Sequence, residues 1–183
     1  MRQFNSKEDT IYDLIRREGG LVDNPNDRGG ITKFGISKRS YPELDIIHLS
    51  KNDAYDIYDR DFWNNGMESF WEIDRLIDWL RPVCLDMYVN HGGRGATLIL
   101  QRVIKKYLTT EKFKVDGLFG SKTFSAVSKL TDQAENPYND LTPGDVILML
   151  VDERIRYYMA LIYRDESLRD FEGGWISRAR YFL

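Results

Sequence analysis

REGGLVDNPNDRGGITKFGIS, Arg17 to Ser37, is the stretch on which the reading of this chain turns. A segment with helical periodicity leads into it. Ser6 is placed to cap that helix, with Asp9 three residues on in capping-box position. Ile11, Leu14 and Ile15 recur at the spacing of a buried stripe. Position 18 continues the stripe, yet Glu18 occupies it, and Gly19 and Gly20 then end the helix. The loop that follows is rich in Asp, Asn and Gly. ITKFGIS, Ile31 to Ser37, alternates well enough to predict a short strand, and with it a small hairpin or sheet.

A carboxylate on the buried stripe of a helix is destabilising if it is charged and unpaired. A salt bridge with Arg16, Arg17 or a distant Arg is the ordinary explanation. Three features of the sequence point to another. The C-terminal end of a helix disfavours negative charge, and an apolar stripe desolvates it, so both raise the expected pKa of Glu18. A second acidic cluster, Asp23 and Asp27, lies one loop away. Two carboxyl groups whose surroundings push their pKa values apart are the machinery of glycosidic bond cleavage, one donating a proton and the other handling water or positive charge.

The rest of the chain reads as mostly helical. Ser50 and Asp53 predict a capping box opening a helix to about Phe62. Trp71 to Leu80 is amphipathic through Ile73, Leu76, Ile77 and Leu80. Pro82 suits the first turn of a helix reaching Asn90. HGGRG interrupts, and Ala96 to Tyr107 is helical again. VDGLFGSKTFSAV predicts a glycine-rich turn and a helix capped by Ser121. Residues 131–141 read as a polar loop. Thr142, Pro143 and Asp145 open the longest predicted helix, to about Tyr163, and GGWISRARYF makes a last short segment.

The chain has 183 residues, 42% of them hydrophobic and 30% charged, so it is an ordinary globular sequence with room for one domain or a domain with an added lobe. A net charge of −3 argues against nucleic acid as a partner. The single cysteine, Cys84, excludes an internal disulfide and reads as a small core residue. Two histidines, His48 and His91, are too few and too separated for a structural zinc site, and no metal or cofactor is expected. No stretch predicts a signal peptide or a membrane span.

Several blocks together carry a resemblance. EGGLVDNPNDRGGITKFGIS resembles the signature of glycoside hydrolase family 108, the muramidases of phage endolysins and related bacterial proteins. IYDRDFW (Ile57 to Trp63), DMYVNHG (Asp86 to Gly92), LQR (Leu100 to Arg102), DGLFGSKTFSAV (Asp116 to Val127) and GWISRARYF (Gly174 to Phe182) resemble further blocks of that family, in order along the whole chain. One departure is Asp23-Asn24-Pro25, where members often read Asn-Asp-Pro. The acidic position there is shifted, whereas Asp27 keeps its usual place.

The resemblance implies a mainly α, lysozyme-like fold with a small β-hairpin beside the active-site cleft. It implies a catalytic lobe over 1–92 and a peptidoglycan-binding helical lobe over 93–183; with no Pro-, Gly- or Ser-rich spacer between them, and apolar stripes over 96–107 and 146–163 that need a partner, they are expected to pack as one unit. It implies hydrolysis of the β-1,4 bond between N-acetylmuramic acid and N-acetylglucosamine, with Glu18 as general acid. A looser similarity to phage lysozymes of the T4 type assigns Asp27 as second carboxylate and Thr32 as the hydroxyl that holds water. From that order we expect single displacement with inversion. Asn90, His91 and Trp63 are candidates for binding the glycan, Asn90 through an N-acetyl group, Trp63 by stacking, and His91 from a helix end that favours a cationic ring. The partner is the glycan strand of peptidoglycan, met by a monomer that reaches the periplasm through holin-type release. A peptidoglycan binder without catalysis and a lytic transglycosylase are the competing classes.

Overall fold

A computed structural model describes residues 3–23, 30–64, 76–108 and 113–183. Its contacts group the chain into two compact units, residues 4–65, and residues 66–183 with the first three residues. By contacts, the division falls after Asn65.

In the N-terminal unit α1 spans Lys7–Glu18. Ser6 Oγ accepts from Asp9 N at 3.1 Å. The Asp9 carboxylate, however, accepts from Asn5 N at 3.3 Å, one residue short of the reciprocal bond, so the expected capping box is half made. Ile11, Leu14 and Ile15 are buried as the periodicity requires. Asp13 is also buried, and it takes Arg16 and Arg17 as ion-pair partners.

Three two-residue strands, β1 (Leu21–Val22), β2 (Thr32–Lys33) and β3 (Ile36–Ser37), form an antiparallel meander in that order. Thr32 pairs with Val22 on one side and Ser37 on the other. ITKFGIS is therefore not one strand but a hairpin with its turn inside. Phe34 and Gly35 both have positive φ, 54° and 78°. Two such residues make the tight turn whose twist matches paired strands, and glycine supplies the second without strain.

Helix α2 (Lys51–Tyr58) opens with the predicted box: Ser50 N donates to Asp53 Oδ2 at 2.8 Å and Asp53 N to Ser50 Oγ at 3.1 Å. It runs on as a π-helical segment, Asp59–Asn64. Helix α1 packs on α2, where Lys7 Nζ meets Asp59 at 2.9 Å and the Tyr12 and Tyr55 rings stack.

The regular elements among the described residues of the C-terminal unit are all helical: α3 (Arg81–Leu108), α4 (Ser121–Glu135), α5 (Pro143–Arg164) and α6 (Glu172–Arg180), with a 3-10 segment Glu166–Phe171 before α6. Gly92 (φ 64°, ψ 170°) breaks α3 into two arms, the interruption read from HGGRG. Helix α3 exceeds α5 in length only across that kink. The helix expected over Trp71 to Leu80 falls partly outside the described residues, and residues 76–80 form turns rather than a helix. Ser121 is the first residue of α4, not its cap; Gly120 holds that position and offers no side-chain bond. The polar loop expected from residue 131 starts later, because Leu130, Thr131 and Ala134 still bury one face of α4. At α5 both bonds of the Thr142–Asp145 box are made.

Cys84 is fully buried, and desolvation pushes its thiol far above the ordinary range, as befits a core residue. Among the described residues no helix is long and apolar enough to cross a membrane.

Candidate active site

Glu18 is the last residue of α1 and is half-buried. Its position follows from the backbone around it. Gly19, in the left-handed region (φ 83°), turns the chain out of the helix. The Gly19 carbonyl then accepts from Phe34 N at 3.2 Å, which fastens the end of α1 to the hairpin turn. Tyr58, buried on α2, donates its hydroxyl to the Phe34 carbonyl at 2.9 Å, so the same turn is held from the other side.

Gly35 lies where these parts converge. A Cβ placed on it would stand 2.4 Å from Tyr58 Oη, 2.9 Å from Glu18 Cγ and 3.1 Å from Glu18 Cδ. Glycine is required there twice over, for positive φ and for the approach of the acid. Arg16 and Arg17, the simple salt-bridge partners expected for Glu18, make ion pairs with Asp13. Thr32 is half-buried on β2, and its hydroxyl donates to the Gly30 carbonyl at 3.3 Å. Glu18, Thr32, Gly35 and Tyr58 thus all belong to the N-terminal unit. Asp27 lies outside the described residues.

Trp63 does not fit the role expected of it. Its side chain is 2% exposed and fills the core, so no ring face is free for stacking on a sugar. The IYDRDFW block contributes to the site through Tyr58 instead, a positioning residue that the sequence reading did not single out. Hydrophobic spacing alone marks Tyr58 as core, and its hydrogen bond to the hairpin is a tertiary fact.

Asn90 and His91 belong to the helical unit. Asn90 is exposed, and its amide nitrogen donates to the Asp86 carbonyl at 2.7 Å, as at an ordinary helix end. His91 is not the cationic ring expected there. It packs against Tyr157 and Tyr158, with ring centroids 5.2 and 4.8 Å away. Burial and the charge of Arg154 push its pKa down to about 3, so the imidazole is neutral at ordinary pH.

Beneath it lies a buried charge knot. Asp86, fully buried on α3, accepts from Arg154 Nη2 of α5 at 2.7 Å. Arg178 of α6 adds bonds from Nε at 3.2 Å and Nη2 at 3.1 Å. The aspartate of DMYVNHG and the last block, GWISRARYF, are therefore partners. Trp175 of that block stacks between Tyr158 and Phe171. Gln101, 1% exposed, organises DGLFG: its Oε1 accepts from Asp116 N and Gly117 N, and its Nε2 donates to the Leu118 carbonyl and to Thr123 Oγ1. These contacts give the family-like blocks of the second half structural duties.

Residues 11–92 match the family model described as glycosyl hydrolase 108, and residues 95–180 match that of a predicted peptidoglycan domain. Over residues 11–92 the chain is similar to glycosyl hydrolase family 108. Among solved structures it is similar to that of SagA from Brucella abortus, with 26% identity, a TM-score of 0.67, and coverage of 96% of this chain and 90% of that one. No curated protein matches it. With a glycosyl hydrolase 108 region followed by a peptidoglycan-type domain, the chain is a glycoside hydrolase that acts on peptidoglycan. The mainly α, lysozyme-like fold with its small antiparallel sheet is the class the sequence predicted.

Proposed function

We propose that the chain is an N-acetylmuramidase of the endolysin type. It cleaves the β-1,4 bond between N-acetylmuramic acid and N-acetylglucosamine, with Glu18 donating the proton to the glycosidic oxygen. The observation that carries this reading is the seat of Glu18: a carboxylate at the end of α1, set against a turn where Gly35 leaves room for nothing larger. A group built into so narrow a place has its oxygens directed by the backbone, as general acid catalysis requires. Asp27 and Thr32 hold the attacking water on the opposite face of the sugar, and the reaction inverts the anomeric centre. Asn90, exposed on the helical unit, contacts glycan there. In its biological setting the enzyme meets peptidoglycan in the periplasm after holin-type release during phage lysis.

Glu18→Gln keeps the shape and removes the proton donor. It is expected to lower clearance of outer-membrane-stripped Gram-negative cells by about 10²–10⁴-fold with the fold intact. A variant that keeps more than about a tenth of the activity would contradict the assignment. Mass spectrometry of the products should show a reducing muramic acid rather than an anhydro end. Proton NMR of the first product should show the α-anomer; early β-anomer would make Asp27 a nucleophile, or set it aside.

A further inference from the structure

Beyond the kink at Gly92, the second arm of α3 carries Arg94, Leu98 and Arg102 at four-residue spacing, hence on one face. Helix α5 answers with Tyr157, Leu161 and Arg164, also one face, and the two helices pack together. Between them lies a cavity of about 470 Å³ lined by these residues, with no carboxylate among the described residues that line it. That volume is in the range of a small-ligand site.

Three arginines line this cavity, and among the described residues only Arg102 has a counter-charge. Arg102 Nη1 stands 3.4 Å from Glu153 Oε1, but Glu153 also serves Lys106 at 2.6 Å and Arg156 at 3.3 Å. Among the described residues neither Arg94 nor Arg164 has an ion-pair partner. Arg94 is nonetheless held in place. A Cβ on Gly117 would stand 2.9 Å from Arg94 Cγ and 3.1 Å from Leu98 Cγ, so the DGLFG turn clamps both side chains against α3. Gln101 fixes that turn from the core. On the other wall, Gly95 allows the Tyr157 phenol to lie close to the helix, since a Cβ there would be 3.1 Å from Tyr157 Oη.

We propose that this cavity is a carboxylate-binding site that takes the stem peptide of peptidoglycan. The inference rests on the reading that the chain acts on peptidoglycan. The glycan strand itself is uncharged, because the lactyl carboxyl of muramic acid is consumed in the amide to the peptide. Its stem peptides supply free carboxylates, and a planar guanidinium fork binds a carboxylate with two parallel hydrogen bonds. Leu98 and Leu161 provide apolar wall for short alkyl side chains. The domain therefore distinguishes peptide-bearing strands from bare ones, separately from the bond that is cut.

The test uses the full chain carrying Glu18→Gln, so that the polymer is not consumed, in co-sedimentation with Gram-negative sacculi. Intact sacculi are compared with insoluble chitin, a β-1,4-linked N-acetylglucosamine polymer that has neither stem peptide nor lactyl carboxyl. Arg94→Ala with Arg164→Ala should weaken binding to intact sacculi by about tenfold or more and leave any binding to chitin unchanged. Free disaccharide-tetrapeptide should compete with the intact set, and Arg94→Lys with Arg164→Lys should restore part of the affinity. Should the double variant lose its near-ultraviolet dichroism, Arg164→Gln alone, at the exposed end of α5, should still weaken intact-sacculus binding about threefold. Unchanged binding to intact sacculi, equal loss on chitin, or competition by inorganic phosphate but not by the tetrapeptide would overturn the proposal. None of these outcomes touches the muramidase reading, which stands or falls with cleavage by the Glu18→Gln chain.

Discussion

The two units hold their charged groups in opposite ways. Around Glu18 the carboxyl is placed by backbone: a helix end, a glycine in the left-handed region, a hairpin turn tied to Gly19 and to Tyr58. Around Asp86 the carboxylate is placed by other charges, two arginines from helices far along the chain. The first arrangement fits a group that must exchange a proton, because the backbone that locates it is the same whether the group is charged or neutral. The second fits a permanent charge whose work is to join three helices. Buried ion pairs gain little over apolar packing, but they are strongly destabilising when one partner is lost.

The comparison is most exposed to a break at Asp86. Asp86→Ala removes the carboxylate that Arg154 and Arg178 share, and should lower stability by about 3–5 kcal/mol in urea denaturation. A loss near that of a surface substitution would mean that the knot does not hold the helices.

Gly35→Ala attacks the other arrangement. Left-handed backbone costs an ordinary residue about 1–2 kcal/mol, and the added methyl crowds Tyr58 and Glu18. Turnover should fall by about 10²-fold, more than the loss of stability explains, because the acid is displaced. Equal activity of the folded fraction would show that Glu18 is not set by the turn.

His91 sharpens the contrast, being a titratable ring inside the charge-held unit. Its pKa is depressed, so the unfolded chain binds a proton over a range where the folded chain does not. The stability it contributes is present above 6.5 and is lost as pH falls toward about 3. His91→Gln should therefore flatten the fall in denaturation midpoint across that interval. An unaltered slope would assign the acid sensitivity to other groups. The smallest effect is local: Thr142→Ala removes one half of the α5 capping box and should cost about 1 kcal/mol, without changing activity against cell walls.

Local chemistry accounts for what could be read early. Ser50–Asp53 and Thr142–Asp145 are three residues apart, and such boxes form wherever a helix begins. Ser6–Asp9 shares the spacing and makes only half the box, since the aspartate swings to Asn5 N. ITKFGIS was misjudged as one strand because alternation records which side a residue faces, not where the chain reverses. Gly35 was the available signal, being the one residue there suited to positive φ. The late end of α4 went unread because burial of Leu130 and Ala134 outweighs the polar composition of the segment.

Sequence alone determined the class of fold, the blocks of family 108, and the placement of a carboxyl at the end of a buried stripe. Each depends on neighbours within a few residues, or on a pattern repeated in order along the chain. Tertiary structure decided the rest. It sent Trp63 into the core, made His91 neutral between two tyrosines, and joined Asp86 to Arg178 across 92 positions. Burial and charge pairing depend on distances that folding creates, and spacing along the chain does not encode them.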